Sequence, residues 1–113
     1  MAISPEEKRR FPRIEGHFPI RFQIRGSPEF DHTVSDNVSL GGLGLVNQRF
    51  IPPETLLMLE IKVLTSVLRP SVRVVWSAPF PHSDRYGMGV EFIGMKAEEE
   101  GYLADYIDMQ CNK

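Results

Sequence analysis

The segment Arg9-Arg10-Phe11-Pro12-Arg13 sets two guanidinium groups, Arg9 and Arg13, four positions apart, with Lys8 and Arg10 adding charge. A guanidinium grips phosphate through two parallel hydrogen bonds, pairs with O6 and N7 of guanine, and stacks on a base face. A second chemical group follows at Asn37-Val38-Ser39-Leu40-Gly41-Gly42. In an extended chain Asn37 and Ser39 point to the same side. Gly42 then permits a backbone angle barred to other residues and lets a ligand come close. An amide and a hydroxyl beside bare backbone suit base edges, sugars and phosphates. Each feature also has a plain reading. A terminal basic cluster is commonly a solvated charge run, and Asn-x-Ser before glycines is commonly a turn whose side chains bond the local backbone.

Other chemistries lack their residues. His17, His32 and His82 stand at no metal-ligand spacing from one another or from Cys111, the single cysteine. Gly41-Gly42-Leu43-Gly44 opens into a strand pattern, whereas a phosphate loop of the α/β kind opens a helix. No nucleophile elbow is present. The expectation is a protein that is not an enzyme, with no metal and no cofactor.

The chain of 113 residues is of single-domain size. Its hydrophobic share of 42% and charged share of 25% are those of an ordinary globular domain. Net charge is −2, but it is unevenly spread. Residues 96–113 carry five acids against two lysines, a net of −3, so the remainder is +1. A bulk nucleic-acid coater has a pI above about 9, so neither DNA nor RNA is expected as a partner. No apolar run reaches the ~20 residues of a membrane helix, and MAISPEEKRR lacks the apolar stretch of a signal peptide. The expectation is therefore cytoplasmic, without membrane insertion.

The elements that must position these groups follow from periodicity. Ser4-Pro5-Glu6-Glu7 reads as a capped helix start that Pro12 stops, leaving residues 1–13 as a flexible basic arm. Phe18, Ile20, Phe22 and Ile24 alternate with polar residues and predict a strand over 17–25. Further strands are expected at 30–38, 43–46, 57–63, 72–76 and 86–92. Within the fifth, Trp76 shares a face with Val72 and Val74 and is expected in the core. From Ala97 to about Met109 the period changes. Leu103, Tyr106 and Ile107 fall on one helical stripe, and Glu98, Glu99 and Glu100 favour its N-terminus. About six short strands followed by one helix suggest a small antiparallel barrel or sandwich with a helix packed on it.

Taken together, Arg9-x-x-x-Arg13 and Asn37-x-Ser39-x-x-Gly42 inside such a domain resemble the PilZ family, bacterial receptors for cyclic di-GMP. Val74-Val75-Trp76 and Tyr86-Gly87-Met88-Gly89-Val90-Glu91-Phe92 are similar to the family's last two long strands. The resemblance runs from about Lys8 to Ile107. It implies an all-β fold, a six-stranded antiparallel split barrel over 14–95, with the arm at 1–13 and a C-terminal helix and tail at 96–113. It implies cyclic di-GMP as ligand, bound by Arg9, Arg10, Arg13, Asn37, Ser39, Gly41 and Gly42, with Lys8, Asp36 and Gly89 as candidates for further contacts. A receptor that orders its arm on binding and signals to an unidentified downstream protein follows as the expected mode of action. A homodimer stays open. The rival is a nucleotide-independent interaction module of the same fold.

Overall fold

The structure, a computed structural model, describes residues 13–111. Seven strands and one helix follow in order: β1 Ile14–Ile24, β2 Phe30–Val38, β3 Gly42–Asn47, β4 Leu56–Val63, β5 Ser66–Leu68, β6 Ser71–Pro79, β7 Tyr86–Gly94 and α1 Ala97–Cys111. All pairings are antiparallel. The order β1-β2-β3-β7-β6-β4 closes on itself because β4 also pairs with β1, from Ile20↔Ile61 to Ile24↔Leu57. Six strands thus form a ring, and β5 hangs on β4 alone.

Alternation explains why these residues make strands. In β4, Leu57, Leu59, Ile61 and Val63 turn inward and are buried, while Met58 and Lys62 face out. Phe18, Ile20 and Phe22 of β1, Leu43 and Leu45 of β3, Val72 and Val74 of β6, and Met88 and Val90 of β7 complete the core. Burying each such side chain contributes about 1.5–3 kcal/mol before chain entropy is set against it. Helix α1 covers this core with Leu103 and Ile107. Its Tyr106 ring meets Phe18 edge-on at 6.2 Å, and Tyr102 Oη donates to the Val63 carbonyl at 3.1 Å. Three glutamates occupy its first turn, where the exposed N–H groups favour negative charge. One of them, Glu99, accepts from the Arg69 amide at 2.9 Å.

The six-strand expectation holds for the ring, and β5 is an addition to it. Its hairpin turns through Leu64 and Thr65, with Leu64 at φ 55. Such turns favour Gly or Asn, so Leu-Thr gives no turn signal. β1 starts at Ile14, three residues before the expected strand, because an irregularity between Glu15 and Phe18 hides the alternation.

Candidate functional site

One row of residues crosses five strands on the outer face of the ring. Glu15 pairs with Asn37, Asn37 with Gly44, Gly44 with Gly89, and Gly89 with Trp76. Strands lie about 4.8 Å apart, so Asn37 and Trp76 are about 14 Å apart along the row. The buried Ser35 hydroxyl fixes the Asn37 end, lying 2.6 Å from the Asn37 carbonyl and also against that of Gly44. Arg13, exposed at the mouth of β1, donates from Nη1 to Asn37 Oδ1. Two of the expected site residues, 24 positions apart, are thus in direct contact.

Trp76 departs from its expected place in the core, being 51% exposed. The cause is a bulge. Val74 pairs with Val90 but Trp76 with Gly89, so Val75 is an extra residue in β6. It shifts the in–out parity, and both Val75 and Trp76 face outward. The serine that follows, Ser77, turns its hydroxyl into the interior, where it has no hydrogen-bond partner among the described residues. The indole lies across Gly89, and a Cβ on Gly89 would drive into indole Nε1. Gly87 gives the same clearance, with a Cβ there 3.5 Å from the indole rim. The glycines of β7 make the floor on which Trp76 rests.

Ser39 and Gly42 are each held by contacts within the protein. β2 ends at Val38, so Ser39 lies in the turn, 5% exposed. Its hydroxyl accepts from the amides of Gly41 at 3.1 Å and Gly42 at 3.3 Å, and its own amide donates to the Gly42 carbonyl at 2.9 Å. Among the described glycines only Gly26 has positive φ. Gly42 is therefore not needed for a left-handed angle. It is needed because β7 crosses so closely that a Cβ would meet the Val90 carbonyl and lie 3.0 Å from Glu91 Cα. The close approach at Gly42 is by the protein's own backbone.

Two depressions flank the indole, and Arg13, Val75 and Trp76 line both. The smaller, about 230 Å³, opens onto Ser39, Gly41, Gly42 and Glu91. The larger, about 950 Å³, runs past Asn37 and Gly44 to Val34, Val46 and Phe80 and is mainly apolar. Gly89 belongs to the smaller one. Arg73 is paired with Glu91 and lies 3.5 Å from Glu54. Arg21 forms a two-pronged pair with Glu60 and stacks over Phe30 at 4.1 Å. Lys8, Arg9 and Arg10 lie outside the described residues, and Asp36 falls within β2. Among the described residues no cluster of His, Cys, Asp or Glu could hold a metal, and no described helix is long and apolar enough to cross a membrane. Trp76 is the site residue that sequence reasoning placed wrongly. The signal that finds it is the pairing of β6 with the glycines of β7.

A ring of six antiparallel strands, capped by a C-terminal helix and carrying a glycine-floored cleft outside, defines a small β-domain with an external cleft. The model of the PilZ domain matches residues 7–109, and the chain belongs to that family. Among solved structures, the Bacillus subtilis inhibitor of motility MotI (DgrA) is similar, with a TM-score of 0.78 and 24% identity over 94% of this chain and 53% of that one. MrkH of K. pneumonia in its apo state has a TM-score of 0.76 and 14% identity over 98% of this chain and 52% of its own. The PilZ domain of YcgR from Escherichia coli with c-di-GMP has a TM-score of 0.68 and 13% identity, covering 93% of this chain and 92% of that one. The chain spans about half the length of MotI and MrkH. At these identities the likeness is one of fold. The comparison with curated proteins gave no match.

Proposed function

We propose that the chain is a receptor for cyclic di-GMP that performs no catalysis. The observation that carries this is the row Asn37–Gly44–Gly89–Trp76 with Arg13 at its Asn37 end. It combines a guanidinium, an amide, a floor without side chains and an exposed indole on one face. A cyclic dinucleotide offers a matching set: anionic phosphates for the guanidinium groups, flat bases for the indole, and base edges for the amide. The similar YcgR domain holds c-di-GMP, which supports the assignment.

In this reading Arg9, Arg10 and Arg13 supply the cationic contacts and Asn37 a base-edge contact. Ser39, Gly41 and Gly42 shape the turn that borders the ligand. Lys8 and Asp36 are candidates for further contacts, and Gly89 carries the indole. The ligand draws residues 8–12 onto the outer face beside Arg13, and charge-assisted hydrogen bonds offset the ~1–2 kcal/mol per residue that ordering costs. The changed surface is what a downstream protein reads.

Calorimetric titration tests the assignment. Cyclic di-GMP is expected to bind in preference to cyclic di-AMP and GTP, because adenine lacks the O6 acceptor, at about 1–3 kcal/mol per base contact. Equal affinity for the adenine analogue, or no heat with the guanine one, refutes it. No heat would leave the fold as an interaction module.

A further inference from the structure

Neither motif contains an acid at the cleft, yet the smaller depression has one. Glu91 stands on the outer face of β7, paired in register with Gly42 of β3 and Arg73 of β6. It lines the depression together with Ser39, Gly41, Gly42 and Trp76. Arg73 donates to Glu91 Oε1 and holds the carboxylate in place. Every hydrogen bond and ion pair of the Glu91 side chain among the described residues is with Arg73. Its second oxygen therefore remains available as an acceptor.

A carboxylate beside a phosphodiester weakens binding unless it faces a donor. The phosphates and ribose ring oxygens of a cyclic dinucleotide are acceptors, and each ribose 2′-hydroxyl offers one isolated donor. The guanine Watson–Crick edge is different: N1–H and the N2 amino group are adjacent donors, matched to two carboxylate oxygens. Adenine presents a bare N1 there. We propose that Glu91 is a specificity-determining residue whose carboxylate accepts from the Watson–Crick edge of a guanine lying beside Trp76. The arginines then serve the opposite edge, O6 and N7. This inference deepens the cyclic di-GMP reading and rests on it.

The test is a cycle on the full chain. Wild type and Glu91→Ala are titrated with cyclic di-GMP and with cyclic di-IMP, which lacks only the 2-amino groups. Wild type should prefer cyclic di-GMP by about tenfold or more, the expected worth of a hydrogen bond to a charged acceptor. In Glu91→Ala the preference should fall to about twofold or less. Should that variant fold poorly, Glu91→Gln keeps the bond to Arg73 and should give an intermediate preference. A preference unchanged by either substitution overturns the proposal. So does a variant that binds both ligands tighter by the same factor, since Glu91 would then only repel phosphate. Wild type that binds cyclic di-GMP without discriminating against cyclic di-IMP overturns the Glu91 role alone. Wild type that binds neither overturns the receptor reading with it.

Discussion

Asn37 and Trp76 stand in one row of the sheet, and the two residues between them, Gly44 and Gly89, have no side chains. The gap so framed is bounded by an amide at one end and an indole at the other. Arg13 donates to the amide, so one guanidinium is already committed to this face by a neutral partner that a phosphate can outbid.

Trp76 is the only tryptophan in the chain, and its emission therefore reports this face alone. Cyclic di-GMP should change that emission in a saturable way. Trp76→Ala should cost about 1–3 kcal/mol of binding if a base stacks on it, with little effect on the melting temperature of the free protein. Gly89→Ala should weaken binding comparably by expelling the indole, and should shift the emission before any ligand is added. A normal titration by Gly89→Ala would count against the stacking role.

Arg13→Ala and Asn37→Ala should each weaken cyclic di-GMP binding by tenfold or more, at 1.4 kcal/mol per decade. Arg13 is exposed, and exposed substitutions commonly change stability by no more than about 0.5 kcal/mol. The melting temperature of free Arg13→Ala should therefore match wild type within a degree or two. A large loss would make Arg13 a structural residue of the free ring.

Acid stability should depend on Glu60. Its pKa lies below the ordinary 4.5, first because Arg21 hydrogen-bonds to the carboxylate, with Arg21 and Arg69 charge adding to this and partial burial opposing it. A carboxyl whose pKa is depressed by folding stabilises the native state above its unfolded value, and that contribution is lost as pH falls through the folded pKa. Denaturant titrations from pH 6 down to 3 should show wild type losing more stability below about pH 4.5 than Glu60→Gln does. Parallel pH profiles would remove Glu60 from the account.

Gly101 sits inside α1, exposed, with nothing within 4 Å of where a Cβ would stand. Gly101→Ala should raise stability by about 0.5–1 kcal/mol, through helix propensity and a less free unfolded chain. Thermal melts should rise by a few degrees, with ligand affinity unchanged.

Much of this architecture is legible along the chain. The alternation of Leu57, Leu59, Ile61 and Val63 gives β4 almost residue for residue, and Leu103 with Ile107 gives the buried stripe of α1. These patterns are local, and burial enforces them. Trp76 escapes the same logic because an inserted residue, Val75, resets parity, and that insertion exists only relative to the partner strand β7. β5 escapes because Leu64 and Thr65 make a turn without turn residues. The pairing of Arg13 with Asn37 answers to the two motifs. The reason for Gly42 does not, since it lies in the crossing of β7, a contact between residues distant in sequence.

The pairing of β4 with β1 makes the six-strand ring a circuit with no end. In an open sheet one strand can slide while its outer neighbour follows at little cost. In a circuit a slide must be accommodated all the way round, or the ladder breaks. The outer face is therefore held like type in a locked frame. Ligand preference on such a frame changes letter by letter, one outward side chain at a time, while the spelling of the inward positions stays fixed.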